Sequence, residues 1–178
     1  MIRAAGFGDM TAAGEIYVSG HWAAYRGAVP YASLRALNAD VEGQSLQGEL
    51  GKPQSVFLVA VNRAGRVVGF ALGGVTDADA TLGGLAELHV DRRYRRRGVG
   101  RLLTKAIAQR LGAMGVNKLT AVVAKCNAAS RSFCQQLGAV EVDHNNTMPV
   151  FGNVPDVPTV DLPIVQVYWS EPQFAALL

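Results

Sequence analysis

The chain has 178 residues, of which 49% are hydrophobic and 17% charged, with a net charge of +3. This composition argues against extended disorder and against a generally basic surface, and because no linker rich in glycine, serine or proline interrupts it, it predicts one domain over residues 1–178. The longest strongly apolar run, residues 56–61, is too short to cross a bilayer, and the N-terminus lacks an apolar signal core. We therefore expect a cytoplasmic protein that does not contact membranes.

The first half of the chain predicts a short strand, two helices and a meander of three strands. The strand covers Ile2–Ala4, Asp9 caps a helix that runs through Trp22, and residues 32–37 form a second helix. Stretches rich in Val, Phe and Leu then predict strands, separated by turns. The predicted strands are residues 55–62, 66–74 and 82–90.

The second half predicts two helices and three strands. From Val99 the apolar residues recur at the spacing of one helix face, and Asn127 caps a further helix that stops at Gly138. Residues 145–161 contain three prolines and a glycine and are expected to form a long loop. The predicted strands are residues 118–124, 139–143 and 163–168.

Cysteines and histidines do not form a metal-binding pattern. Cys126 and Cys134 are eight residues apart without a C-x-x-C pair, and the three histidines are scattered along the chain. We therefore expect no zinc site, no disulfide framework and no bound metal.

An arginine-rich turn joins the third meander strand to the helix that starts at Val99. Six of the 17 basic residues lie between Arg92 and Arg101, together with Gly98 and Gly100. Glycine lets backbone N–H groups approach phosphate oxygens, a helix N-terminus carries unsatisfied donors, and arginine adds bidentate contacts. The turn therefore predicts a diphosphate site. Walker A and Rossmann loops are excluded, the latter because Leu103 replaces its third glycine.

Two segments resemble motifs of one enzyme family. Residues 88–103, with Arg95-x-x-Gly98-x-Gly100, resemble motif A of the GNAT superfamily of acetyl-CoA-dependent N-acetyltransferases, whose signature is Gln/Arg-x-x-Gly-x-Gly/Ala. Residues 127–139 resemble its motif B, and residues 20–27 resemble the first-helix region of bacterial members. The resemblance implies an α/β (α+β) fold with a mixed, mainly antiparallel sheet, whose splayed central strands are flanked by helices.

The resemblance also implies how acetyl-CoA binds. Residues 85–90 form the splayed strand, whose main-chain groups hold the pantetheine, and the Leu88 amide polarises the thioester carbonyl. The amides of the turn take the diphosphate, while the start of motif B contacts the pantetheine from the opposite side. The residues so implied are Leu88, His89, Val90, Arg95, Arg96, Arg97, Gly98, Val99, Gly100, Arg101, Asn127 and Ser130.

Simpler interpretations of several of these residues stay open. Leu88 and Val90 also suit an ordinary strand core, and Asn127 also suits a helix cap without ligand contact. The His89 side chain is interpreted as a strand residue without a chemical role.

The groups that move protons depart from the family pattern. Members with a glutamate base often carry it at the position of Gly84, so Glu87 is the nearest candidate, and a β-bulge would be needed to turn it to the same face. Glu87 is alternatively a structural carboxylate or an ion-pair partner of the arginines, with a water chain as the base. Cys134 stands where the family usually has a tyrosine as the acid.

Cys134 is either a proton donor or inert core, and a phenol from elsewhere in the chain is another candidate acid. These phenols are Tyr25, Tyr31 and Tyr168. Alternatively, the thiolate leaves unassisted.

Three functions are compatible with the chain. The first is transfer of an acetyl group from acetyl-CoA to a primary amine of a small molecule or a protein N-terminus, in a pocket built by residues 22–31 and 145–161. The second is a catalytically silent acyl-CoA-binding module, suggested by Gly84 and Cys134. The third is nucleic-acid binding through the arginines, which the modest net charge and scarce aromatic residues disfavour. The family resemblance also makes a homodimer an expected possibility.

Overall fold

A computed structural model describes residues 1–150 and 159–178. These residues form eight strands and six α-helices. The strands are β1 (Ile2–Ala4), β2 (Ser55–Val61), β3 (Val67–Thr76), β4 (Asp79–Val90), β5 (Lys118–Ala124), β6 (Val140–Val142), β7 (Thr147–Val150) and β8 (Val160–Trp169). The helices are α1 (Met10–Tyr25), α2 (Tyr31–Ala36), α3 (Ala39–Gln47), α4 (Val99–Gly112), α5 (Ala128–Gln136) and α6 (Glu171–Ala175).

The strands form one mixed sheet that is mainly antiparallel. Its order is β1-β2-β3-β4-β5-β8-β6, with β7 paired to β8 beside this path. The pair of β4 and β5 is parallel, whereas the other described pairs are antiparallel. The predicted fold class is therefore confirmed.

Apolar layers cover both faces of the sheet. On one face, α4 buries Leu103 and Ile107 completely, at the helical spacing that the sequence predicts. On the other face, α1 packs Ala13 and Ile16 against Phe70 of β3. The sheet thus fixes α1 on one side of β4 and α4 on the other.

Two helices and one strand were not predicted. Helix α3 contains Gly43, which lowers helix propensity, yet a Cβ there would lie 2.8 Å from the carbonyl oxygen of Met10, so the close crossing of α1 favours glycine. The prediction of a loop over residues 145–161 is wrong for Thr147–Val150, which form β7, and for residues 160–161, which begin β8. Proline is tolerated there because Pro149 lies in a strand that pairs on one side only. Residues 151–158 of that loop lie outside the described residues.

Among the helices of residues 1–150 and 159–178, none is long and apolar enough to cross a membrane. The same described residues contain no group of three or more histidine, cysteine, aspartate or glutamate side chains arranged to hold a metal ion.

An ion pair ties the first strand to the first helix. Two Arg3 nitrogens donate to the two Asp9 carboxylate oxygens at 2.6 and 2.7 Å, and the Gly6 N–H donates to one of them at 2.9 Å. Asp9 is buried, and its hydrogen bonds to Arg3 hold the pKa of its carboxyl below the ordinary 3.8. The pair fixes the start of α1 against the sheet edge.

Replacing Asp9 with asparagine should therefore lower stability in a pH-dependent way. Because the folded-state pKa is depressed, the carboxylate contributes stability above the unfolded value of 3.8 and loses it as the pH falls through the folded-state pKa. D9N should lower the free energy of unfolding by about 1–3 kcal/mol at neutral pH and by less in acid. Urea unfolding at both pH values measures this, with D40N on the exposed start of α3 as control. An equal loss at both pH values would contradict the account.

Candidate active site

The two central strands pair only at their beginnings. β4 and β5 are in register from Leu82 and Lys118 to Gly84 and Thr120, after which both strands continue without pairing each other. β4 runs on to Val90 and β5 to Ala124. The space between residues 85–90 and 121–124, here called the interstrand gap, confirms the splayed central strands that the family resemblance implies.

A β-bulge in β4 begins where this pairing stops. Opposite β3, Glu87 pairs with Leu72 but Leu85 pairs with Gly73, so Ala86 is an extra residue. A bulge bends its strand and increases the local twist, which directs β4 away from β5. It also reverses the alternation of side chains, so that Glu87 points to the same face as Gly84, the face covered by α1.

Main-chain groups of β4 face the gap at alternate residues. The Asp91 N–H donates to the carbonyl oxygen of Val68 in β3 at 2.9 Å. Because inward and outward groups alternate along an antiparallel strand, the N–H and C=O of Leu88 and Val90 face away from β3, into the gap. Those of His89 face β3, which differs from the expectation that His89 holds a ligand through its main chain.

The arginine-rich turn leads into an exposed helix N-terminus. Gly98 has φ +81°, in the left-handed region that favours glycine, and α4 begins at the next residue. The Leu102 N–H donates to the carbonyl oxygen of Gly98, the N-cap residue of α4, at 3.0 Å. The amides of residues 99–101 precede this bond, and in the first turn of a helix such groups have no intrahelical acceptor.

The arginines of the turn divide into two groups. The Arg95 Nε donates to the Val90 carbonyl at 2.9 Å, and Arg93 forms an ion pair with Asp91 at 2.7 Å. Arg92, Arg96, Arg97 and Arg101 are exposed and make neither of these contacts. The first group therefore shapes the turn, and the second gives it a positive surface.

The turn lies at the mouth of the interstrand gap. A Cβ on Gly100 would lie 3.3 Å from the ring of Phe133 in α5 and 3.9 Å from the Val90 side chain. The start of α4 thus contacts both the end of β4 and α5. On the far side of the gap, Asn127 caps α5 by accepting the Ser130 N–H at 3.1 Å.

A cluster of aromatic and histidine rings surrounds Glu87 on the α1 face. The Glu87 Oε2 lies 2.7 Å from the His89 Nε2. The His89 ring stacks on Phe70 with 5.1 Å between centroids, and on His21 with 5.5 Å. Tyr17 completes this set at 5.2 Å from His89, and we call these four rings the His89 cluster.

Sequence reasoning missed this cluster. Its members come from α1, β3 and β4, so only the sheet register brings them together. One signal was present in the sequence, since Tyr17, His21 and Tyr25 recur every four residues and therefore share one face of α1.

The α1 side chains near Glu87 are uncharged at neutral pH. Burial, together with repulsion from His89, lowers the pKa of His21 to about 4. Burial and the Glu87 charge raise the pKa of Tyr25 to about 12, and raise that of Tyr17 well above its usual range. In α3, burial and the same charge raise the pKa of the Glu42 carboxyl.

A small cleft opens beside the Glu87 carboxylate on this face. Its volume is about 130 Å³, and α1, α3, β3 and β4 form its walls. The lining residues are Tyr17, Glu42, Ser45, Leu46, Glu49, Leu72 and Glu87.

The candidate proton donors lie in different environments. Cys134 is 5% exposed in the core beneath α4, where burial raises the pKa of its thiol to about 11. Tyr25 is buried beside His21, Tyr31 is 66% exposed with its ring against Trp22, and Tyr168 lies on β8 opposite Thr120.

Comparisons with known proteins identify the family. The model of the Acetyltransferase (GNAT) family matches residues 19–139, more than half of the chain. The chain therefore belongs to the GNAT acetyltransferase family. A search of curated protein sequences finds no significant match.

Solved structures share the whole architecture. The PaiA N-acetyltransferase of Thermoplasma acidophilum, in complex with coenzyme A, superposes with a TM-score of 0.68 at 17% identity, covering 93% of this chain and 96% of that chain. The ribosomal-protein-alanine N-acetyltransferase of Brucella melitensis gives 0.64 at 25% identity, covering 93% and 98%. The yncA structure from Salmonella typhimurium, with its cofactor acetyl-CoA, gives 0.61 at 24% identity, covering 93% and 91%.

The two cysteines should differ sharply in reactivity. Cys126 is exposed and Cys134 is buried with a raised pKa, so a neutral disulfide reagent should label one thiol quickly. The second thiol should react at least roughly 100-fold more slowly until urea unfolds the chain. Absorbance during labelling measures both phases. C126S should remove the fast phase and C134A the slow one, whereas two fast thiols in the native protein would contradict the burial of Cys134.

Proposed function

We propose that this protein is an N-acetyltransferase that transfers the acetyl group of acetyl-CoA to a primary amine of a small molecule or of a protein N-terminus. The observation that carries the proposal is the bulge in β4. It directs the Leu88 N–H into the interstrand gap and, one residue earlier, turns the Glu87 carboxylate to the α1 face. An acyl-transfer site needs such a donor and such a base close together.

The gap and the turn suit the donor substrate, which supplies an activated acetyl thioester. The outward N–H and C=O of Leu88 and the N–H of Val90 would pair with the pantetheine arm as a neighbouring strand does, whereas the Val90 carbonyl accepts from Arg95. The first-turn amides of α4 would hold the diphosphate, with Arg96, Arg97 and Arg101 adding positive charge. Asn127 and Ser130 would border the pantetheine from the start of α5.

The residues of β4 would then divide the chemistry. Glu87 would accept a proton from the acceptor ammonium, so that the nitrogen attacks the thioester carbon while the Leu88 N–H donates to the carbonyl oxygen. The carbon–nitrogen bond forms and the carbon–sulfur bond breaks. Of the two protons that the nitrogen loses, one is taken by Glu87 and the other ends on the departing sulfur. Cys134, buried in the core, is assigned a packing role in this scheme.

The acceptor would enter from the α1 face. Glu87 would be reached there from the cleft between α1 and α3, which its side chain lines. Of the expected acceptor pocket, Trp22 packs with the buried Tyr25 and Val29, which favours a structural role. Tyr31 is exposed beside it and is available to an acceptor. The placement of Glu87 would supply the base that Gly84 lacks, which favours an acetyltransferase over a silent acyl-CoA-binding module.

A bulky residue at position 98 should abolish the diphosphate site. G98V forces valine to φ +81° and should displace the amides at the start of α4, weakening CoA binding at least about tenfold. Isothermal titration with CoA measures the affinity. G65V is a matched control, since Gly65 has φ +77° in the turn between β2 and β3 and also has open space around it. Equal CoA affinity for G98V and the wild type would contradict the assignment.

Removing the carboxylate charge of Glu87 should slow catalysis with little effect on donor binding. E87Q keeps the size of the side chain but cannot accept a proton, so kcat with the best amine of a panel should fall by about 100-fold or more. Release of free thiol from acetyl-CoA measures the rate. E15Q, on the exposed side of α1, should react like the wild type. Full activity of E87Q would show that Glu87 is not the base.

A further inference from the structure

The His89 side chain is fixed more firmly than a surface strand residue requires. Its Nε2 lies 2.7 Å from the Glu87 Oε2, and both residues project from the same face of β4. Phe70 stacks on the ring with an interplanar angle of 23°, and His21 stacks with 13°. The imidazole therefore has one orientation in which it meets both its neighbouring rings and the carboxylate.

Helix α1 closes the remaining side of this ring. A Cβ on Gly20 would overlap the His89 Nδ1, so a side chain at position 20 would displace the imidazole. Glycine in the interior of a helix lowers its stability, by about 0.5–1 kcal/mol relative to alanine. At position 20 the absence of a side chain gives the imidazole its space.

The surrounding groups indicate which atom carries the hydrogen in the bond between His89 and Glu87. The His21 Nδ1 lies 3.1 Å from the Tyr17 carbonyl oxygen, which only accepts, so this nitrogen carries the hydrogen. From α1, Tyr17, His21 and Tyr25 face Glu87 in uncharged form. The carboxyls of Glu42 in α3 and of Glu49, just after α3, line the same cleft. The carboxylate is an acceptor, so the His89 Nε2 carries the hydrogen of the 2.7 Å bond.

We propose that His89 is a positioning residue for the base: its Nε2–H holds one oxygen of Glu87, and Gly20 provides the space that sets the imidazole. The other carboxylate oxygen is then directed to the acceptor ammonium. In this scheme Glu87 takes the proton, and the His89 Nε2 keeps its hydrogen. This inference rests on the proposed function, because it concerns the geometry of the same base. A glutamate side chain has three rotatable bonds, so without a partner its carboxylate would take up several orientations. Small misplacements of a catalytic group lower the reaction rate strongly.

Variants at position 89 test this role. H89F fills the ring site but cannot donate, so kcat should fall by about 10- to 100-fold while KM for acetyl-CoA stays unchanged. Losing a donor favours the protonated carboxyl, so the acidic limb of the kcat/KM profile should move to higher pH. H89Q carries a donor at the equivalent position, so it should restore much of the kcat and bring the acidic limb of the kcat/KM profile back towards that of the wild type. H144Q, at an exposed histidine, is the control and should behave like the wild type.

Gly20 provides a second test that leaves the reacting groups unchanged. G20A should lower kcat in the wild type but cause no further loss in an H89A background, where the space is vacant. G8A is the matched control, because a Cβ on Gly8 meets nothing within 4 Å. Nitrogen NMR of the imidazole, assigned with H89Q, should show Nε2 protonated and Nδ1 unprotonated in the neutral ring.

The outcomes separate this inference from the proposed function. Unchanged kcat and pH profile in H89F, or protonation of Nδ1 in place of Nε2, would overturn the role of His89 while leaving the acetyltransferase intact. No turnover by the wild type with any amine would overturn the proposed function and the positioning role of His89 together. Loss in H89F with recovery in H89Q supports the proposal.

Discussion

The site depends on an interruption of backbone pairing in the middle of the sheet. Interior strands normally satisfy their N–H and C=O groups on both sides, and unpaired polar groups are costly unless water or a ligand binds them. β4 and β5 stop pairing after Gly84 and Thr120, although both strands continue. Arg95 takes up the Val90 carbonyl, while the outward groups of Leu88 remain on the gap. The sheet therefore presents a strand edge inside the molecule.

One extra residue connects this edge to the chemistry. The bulge at Ala86 lies directly after the last pair between β4 and β5, so a single insertion bends β4 away and reverses the facing of the residues that follow. The reversal brings Glu87 to the α1 face, where the His89 cluster lies. We thus propose that two neighbouring residues of β4 divide these tasks. The Leu88 main chain binds the donor at the strand edge, and the Glu87 side chain takes the proton on the α1 face.

Local features of the chain could be predicted from the sequence, but long-range register could not. The apolar spacing after Val99 and the β-branched run at Lys118–Ala124 each depend on neighbouring residues, and both elements form as predicted. The facing of Glu87 depends on how β4 pairs with β3, which no local pattern encodes. The His89 cluster depends on the same pairing and on where α1 crosses the sheet. Helix α3 could not be predicted because Gly43 lowers helix propensity, and the reason for glycine there is the close contact with α1, which is distant in sequence.

A crystal structure with a nonreactive acetyl-CoA analogue tests the central claim most directly. The account predicts the pantetheine in the interstrand gap, the diphosphate on the first turn of α4, and the thioester carbonyl within hydrogen-bond distance of the Leu88 N–H. The Glu87 carboxylate should then face the acetyl group from the α1 side, directly or through one water. An analogue bound outside the gap, or a thioester remote from Leu88 and Glu87, would contradict the account.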